Sequence, residues 1–214
     1  MIKNKTQFIS MQDPQAITLA CNIITRGGLV VFPTDTLYGL AATPYNSTAI
    51  QAIYGAKNRS LDKAVPILIG SFSQLPRLIE TLEARVLTLA SAFWPGALTL
   101  VLNKSQSLPK EISQNSTVGI RMPNHPFALA LLQHCGPLAV TSANIADAAN
   151  PKNGQEVLEQ LDGRVDLVID GGTVTGEIAS TVVDCTQDKL VILRQGPISL
   201  EALNKHWRIR SDHN

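Results

Sequence analysis

Four familiar catalytic signatures are missing from this chain. It has no G-x-G-x-x-G, no G-x-x-x-x-G-K-[ST], no G-x-S-x-G and no H-E-x-x-H. Dinucleotide-fold, Walker-type, nucleophile-elbow and zinc-protease chemistry therefore drop out as first readings. His125, His134, His206 and His213 stand apart from one another, so neither a Ser/His/Asp relay nor a paired-carboxylate mechanism has much support. Cys21, Cys135 and Cys185 form no C-x-x-C and no Cys/His zinc spacing. All three sit among apolar neighbours and are expected as buried structural thiols in a reducing compartment. Charged residues make up only 16% and the formal charge is +1. No basic excess marks a long nucleic-acid surface, though a local patch stays open. No 18-residue apolar run exists for a membrane span, and the start "MIKNKTQFISMQ" lacks the apolar core of a signal peptide. The expectation is a cytoplasmic protein with no membrane partner, in which the N-x-S/T triplets at Asn46 and Asn115 carry no meaning.

What is present is an ordinary apolar composition, 44% hydrophobic over 214 residues, enough for one domain with a substantial core. No repeat, low-complexity tract or linker divides it, so residues 1–214 are expected as a single domain with a core at about 13–206. Asp13 and Pro14 suit a helix start, Ala16, Ile17, Ala20, Ile23 and Ile24 recur at helical spacing, and Gly27-Gly28 ends the run. "LVVF" at Leu29 to Phe32 is a buried strand, and "PTDTLYGLAA" reads as a turn after it. Ser47 caps a second helix that leads to Lys57 and Arg59.

"VPILI" and "ALTLVL" are strands, with one or two helices from Gln74 to Phe93 between them, and Trp94 is a packing residue. The polar stretch Asn103 to Asn115 is a loop or lid. "TVGIRM" and "LAVT" are strands around a helix from Pro126 to Cys135. A helix to about Leu161, the strand "VDLVID", a glycine-rich turn "GGTVTGEIA", two strands "STVVDC" and "KLVILR", and a helix from near Ser199 complete the chain. Irregular alternation with adjacent strands at the end indicates α/β (α+β) with a mixed sheet.

Polar clusters follow the strands: Thr34 to Thr36, Thr141 to Asn144, Arg121 at the end of "TVGIR" and Arg194 at the end of "KLVILR". Ligands in α/β proteins favour the carboxyl ends of strands, so these residues with Lys57 and Arg59 would make an electropositive cavity there. Arg binds phosphate and carboxylate through a rigid donor fork, and Lys supplies a point charge. Taken singly, each has a plain structural reading as a solvated loop pair, a turn or a cap. The glycine-rich turn lacks the Lys of a phosphate loop.

Together, "GGLVVFPTDTLYGLA", "KNRSLDKAVPILI", "FWPGALTLVL", "TVGIRMPNHP", "PLAVTSAN", "ASTVVD" and "ILRQG" resemble, in order, the YrdC/TsaC family of threonylcarbamoyl-AMP synthases, from about Ala16 to Leu203. The resemblance implies a twisted mixed sheet flanked by helices around a concave basic cavity. It implies a nucleotidyltransferase joining L-threonine, bicarbonate and ATP into threonylcarbamoyl-AMP and pyrophosphate. Magnesium would ride on the ATP phosphates, with no metal ligand from the protein. The product would serve tRNA modification next to the anticodon, with TsaD, TsaB and TsaE as transfer partners and tRNA or double-stranded RNA as a further one.

Carried over by position, Lys57, Arg59, Lys63, Thr117, Ser142, Asn144 and Arg194 would surround ATP, with Lys57 and Arg59 catalytic. Thr36, Arg121, Thr141 and Ser180 would hold threonine or its carbamate. Leu68 stands where some long-form relatives carry a His. The end soon after "ILRQGPISLEAL" matches the short bacterial form, so closure would come from within the domain, with Asn103 to Asn115 the candidate. Two other readings stay open: an RNA-binding module without turnover, and a YciO-like or hydrogenase-maturation-type relative with another substrate.

Overall fold

Ten short strands form one mixed sheet, and the pattern along each strand determines what lies on either side of it. The computed structural model describes residues 5–174 and 179–207; Thr175 to Ile178 of the glycine-rich turn, and His213, lie outside the described residues. The strands are β1 (Gln7–Ser10), β2 (Val30–Pro33), β3 (Tyr38–Ala42), β4 (Ile67–Leu68), β5 (Leu98–Asn103), β6 (Thr117–Arg121), β7 (Leu138–Ser142), β8 (Leu167–Asp170), β9 (Thr181–Asp184) and β10 (Val191–Arg194). They lie in the order β1-β8-β2-β3-β7-β4-β6-β5-β9-β10. Parallel pairs (β1/β8, β8/β2, β4/β6, β5/β9) mix with antiparallel ones. The helices are α1 (Ala16–Thr25), α2 (Ser47–Lys57), α3 (Ala84–Phe93), α4 (Pro126–Cys135), α5 (Gly154–Leu161) and α6 (Leu200–Trp207).

One face of the sheet is covered from β8 across to β9. Val31, Leu40, Ile67, Leu98, Leu100, Val118, Ile120, Val168 and Val183 point into a single core with α2, α3, α5 and α6. The opposite face is covered over only part of its width. There Val30, Phe32, Ala41, Leu68, Val140, Leu167 and Ile169 pack under α1 and α4. Successive side chains on a strand point to opposite faces. The partners of the buried rows on β5, β6 and β9 therefore emerge on that second face, beyond the reach of α1 and α4.

The structure corrects several local expectations. "PTDTLYGLAA" is a turn only as far as Leu37, after which β3 runs, buried on both faces. Thr34 Oγ1 shapes the turn, donating to Leu37 O at 2.6 Å and accepting from Thr36 N at 3.2 Å. β1 was not expected at all. α1 begins at Ala16, two residues after Pro14, while Asp13 caps the preceding turn by accepting from Gln15 N at 2.8 Å. Asn46, not Ser47, caps α2 by accepting from Thr48 N and Ala49 N. The stretch Asn103 to Asn115 is no free lid: Leu108 and Ile112 are buried, and Ile112 O and Glu111 O accept from Val65 N and Tyr54 Oη at 2.9 and 3.0 Å.

The cysteine expectation also changes. Cys185 is a free buried thiol, but Cys21 of α1 and Cys135 of α4 form a disulfide with Cα atoms 5.3 Å apart. Helix packing brings them together across 114 residues, a separation that no spacing rule detects. The cysteines thus no longer argue for a reducing compartment. Cross-linking a chain over about a hundred residues removes much unfolded-state freedom, typically about 2–4 kcal/mol. Reduction, or Cys21→Ala, should therefore lower the melting temperature by about 5–15 °C, and thiol titration in denaturant should rise from one group to three. An unreduced sample that already titrates three thiols would remove the cross-link.

Candidate functional site

The uncovered part of the second face is a cavity of about 500 Å³, within the roughly 300–1,000 Å³ common for small-molecule sites. Its floor comes from alternate residues of neighbouring strands: Thr99 and Val101 on β5, Thr117, Gly119 and Arg121 on β6, Val140 and Ser142 on β7, and Ser180 and Val182 at β9. The site therefore spreads over the face of the sheet instead of sitting only beyond strand ends. Gly119 keeps the floor low. A Cβ there would come within 3.0 Å of Thr99 Cγ2 and 3.4 Å of Pro66 Cβ.

Of the residues expected around ATP, Arg59, Thr117, Ser142 and Arg194 line the cavity; of those expected around threonine, Thr36, Arg121, Thr141 and Ser180 all do. Lys63 does not, its side chain being exposed on the turn after α2. Lys57 and Asn144 are also absent from the lining and lie buried behind it. Thr34, from the polar cluster after β2, also lines the cavity, as do Ser113 and Asn115 from the end of the expected lid stretch, while Tyr38, Thr99 and Asn150 line it without having been expected. The period-2 pattern would have exposed Thr99, since Leu98, Leu100 and Leu102 claim the core face of β5.

Lys57 and Arg59 are separated by one residue and differ completely in role. Asn58 adopts the left-handed conformation, φ 51° and ψ 41°, as the C-cap of α2. The turn sends Lys57 inward, where its ammonium donates to Ser142 O, Asn144 O and Asn144 Oδ1. Asn144 Oδ1 also accepts from Ser142 Oγ at 2.6 Å, and Ala146 N donates to Lys57 O at 2.8 Å. Lys57 is thus the internal tie of the 142–146 loop. Arg59 faces the cavity, donating to Ala64 O at 2.9 Å and more weakly to Thr141 Oγ1 at 3.4 Å. Its Nε is a buried donor without a partner among the described residues, which an incoming acceptor would satisfy.

Arg121 is the most constrained cation. Nε donates to Gly96 O at 2.9 Å, Nη1 to Thr36 Oγ1 at 2.8 Å and Nη2 to Asp35 Oδ1 at 2.7 Å. Burial pushes Arg59, Arg121 and Arg194 below the usual guanidinium range; Asp35 opposes this at Arg121, whereas at Arg194 the nearby Arg121 charge adds to it. A guanidinium nevertheless keeps its proton, so the cavity carries three positive charges. His125 is taken up as a cap, its Nδ1 accepting from Ala128 N at 3.4 Å, and burial holds it below its ordinary value.

Burial, with Arg59 nearby, pushes Lys57 down to about 7. A lowered lysine value means that the native state gives up a proton which the unfolded chain still holds. Stability should therefore rise as pH climbs from 7 towards 9, by up to about 1.4 kcal/mol per pH unit. It should level off above 9 and fall above about 10, because burial raises Cys185 and Tyr38 to about 12 and the unfolded chain ionises these groups first. Denaturant unfolding at pH 7, 8 and 9 should show this rise, and Lys57→Met should abolish it. That variant should also lose about 2 kcal/mol or more at pH 8, since the Ser142 and Asn144 carbonyls lose the lysine donor while Asn144 Oδ1 keeps Ser142 Oγ. A flat wild-type profile would mean that those oxygens hold the proton against burial.

The family model described as telomere recombination, the Sua5/YciO/YrdC model, matches residues 22–196. A threonylcarbamoyl-AMP synthase of Bacillus subtilis (strain 168) is 40% identical over 201 residues, covering 92% of this chain and 58% of the relative. A putative threonylcarbamoyl-AMP synthase of Mycobacterium tuberculosis is 37% identical over 203 residues, covering 92% and 94%. The crystal structure of Pyrococcus abyssi Sua5 complexed with L-threonine superposes with a TM-score of 0.88 at 38% identity, over 94% of this chain and 60% of that one. The chain thus spans somewhat over half the length of the Bacillus and Pyrococcus proteins and nearly all of the mycobacterial one. With most of its length matched by the model and both sequence and fold shared, the chain belongs to the Sua5/YciO/YrdC family.

Proposed function

We propose that this protein condenses L-threonine, bicarbonate and ATP into threonylcarbamoyl-AMP, with release of pyrophosphate. The observation that carries this reading is the cavity itself. Three arginines and a row of hydroxyls line it, and eight of the eleven residues expected from the resemblance face it. The synthase relatives at 37–40% identity support the same reaction.

Arg59, Arg194, Thr117 and Ser142 would hold the triphosphate, and Arg121 with Thr36, Thr141 and Ser180 the amino acid. Among the described residues no group of three or more His, Cys, Asp or Glu is placed to hold a metal. Magnesium would enter on the ATP phosphates, as part of the substrate. The reacting groups are anionic, and fixed guanidinium groups reduce their repulsion without reorganising during the reaction. Arg59, with its unpaired Nε, stabilises charge at the α-phosphate. Lys57 acts from behind through the Ser142 and Asn144 carbonyls, which revises its expected contact with ATP. Lys63 would reach ATP only from the exposed turn.

The threonylcarbamoyl group would go on to tRNA through TsaD-type transfer proteins, in the cytoplasm. No helix among the described residues is long and apolar enough to cross a membrane. The test is pyrophosphate release with each substrate omitted in turn. We expect dependence on all three, and at least about a hundredfold loss in Arg59→Ala, matching removal of a preorganised charge-stabilising donor, with the melting temperature little changed. Release without threonine, or full activity in Arg59→Ala, would sink the proposal. So would steep salt-dependent tRNA binding without turnover.

A further inference from the structure

The reading above gives side chains to ATP and to threonine but none to the carbon unit that joins them. The two sets touch at Arg194 and Ser180. Arg194, on the nucleotide side, donates from Nε to Ser180 O at 3.1 Å and from Nη2 to Ser180 O at 2.9 Å and Ser180 Oγ at 3.1 Å. Ser180 Oγ in turn lies 2.8 Å from Thr99 Oγ1. Thr99 and Ser180 are both buried, and both line the cavity, Thr99 from β5 and Ser180 from the residue just before β9, its parallel neighbour.

Counting hydrogens shows what this cluster still offers. The two hydroxyls own one hydrogen each; one is spent in their mutual bond, and the other has no acceptor among the described residues. Because Arg194 donates to Ser180 Oγ, the hydroxyl pair is polarised towards donating onward. The Nε and Nη2 hydrogens of Arg194 are engaged by Ser180, while Nη1 has no partner among the described residues. Among the described residues Arg194 has no carboxylate in ion-pair contact: Asp35 is bonded to Arg121, and the charged neighbour felt at Arg194 is Arg121 itself. Free guanidinium and hydroxyl hydrogens beside two like charges suit a small planar oxyanion.

We infer that Arg194, Ser180 and Thr99 form the bicarbonate subsite of this cavity. The inference rests on the synthase reading. An anion held by both Arg194 and Ser180 lies between the side expected for nucleotide and the side expected for threonine, where the carbon must be. There the deprotonated threonine amine adds to the bicarbonate carbon. The C–N bond forms, the C–OH bond breaks, and the hydroxyl leaves as water with one amine proton. The carbamate keeps the negative charge on the same donors. One of its oxygens then attacks the α-phosphorus, and the bond to pyrophosphate breaks.

The experiment is steady-state pyrophosphate release by Thr99→Val, close in shape to threonine but without the hydroxyl, and by Thr99→Ser. Losing one hydrogen bond to a charged ligand should raise KM for bicarbonate about tenfold or more. KM for ATP and threonine should stay within about twofold, kcat should recover at saturating bicarbonate, and Thr99→Ser should restore the wild-type value. Thr99→Ala, which removes the same hydroxyl without the branched side chain, should show the same selectivity and covers the case of a poorly folding Thr99→Val. An equal rise in KM for threonine would overturn the inference by assigning the cluster to the amino-acid carboxylate, and unchanged constants would overturn it too. If the wild type releases no pyrophosphate at all, the synthase reading fails first. The ¹³C line width of bicarbonate with wild type against Thr99→Val then tests the subsite alone: broadening lost in the variant supports it, and its absence from the wild type ends it.

Discussion

The sheet has more width than its second helical layer covers, and the site follows from that mismatch. Among the described residues α1 and α4 cover the part around β8, β2, β3 and β7, and no helix continues over β5, β6 and β9. A strand with one face in a core and the other on a cavity must alternate in sequence, which is what "TVGIR" and "LTLVL" do. The covered rows, Val118, Ile120, Leu98 and Leu100, are wholly apolar and hold the strands in place. Thr117, Gly119, Arg121 and Thr99 opposite them are free to be polar or small. Scaffold and site are two faces of the same residues.

Buried cations then fix the shape of that polar face. Arg121 joins Gly96 O, Thr36 and Asp35, linking the β2–β3 turn to the segment before β5 across β6. Lys57 does the same for the 142–146 loop. Removing a charge from water is costly, and both positions meet the cost by saturating the cation with oxygens. A cation already saturated by protein oxygens has little left for a ligand. It works by holding neighbours still. Arg59 and Arg194 differ because each keeps uncommitted donors, and these are the groups that an anion can use.

The order of elements, the mixed sheet and most of the cavity residues were legible because they rest on local patterns. Apolar runs bounded by glycine and proline marked β2, β7 and β8, and Pro126 to Cys135 emerged as α4 with the expected limits. The failures share a physical cause. β3 carries Gly39 and two alanines, which read as a turn until the strands on both sides bury them. The Cys21–Cys135 pair depends on two helices meeting on one face of the sheet. Lys57 was read with Arg59 because both are basic and nearly adjacent. One left-handed residue between them decides which faces the cavity, and no spacing rule encodes that.

The remaining question is how such a site could catalyse anything without a nucleophile. Cys185 is buried, and its thiol is pushed up to about 12, so it supplies no thiolate at neutral pH. His125 is occupied as a helix cap. What the cavity offers is position and fixed charge. Holding reactants in attacking geometry is worth about 7–11 kcal/mol, and cations that need no reorganisation lower the cost of bringing anions together. A net charge of +1 is no obstacle, because only the local arrangement matters. Arg59 and Arg194 lie on the cavity wall, and Asp35, the acid in contact with Arg121 among the described residues, is bonded to it. The field is therefore concentrated where anionic substrates would meet, although the chain as a whole is nearly neutral.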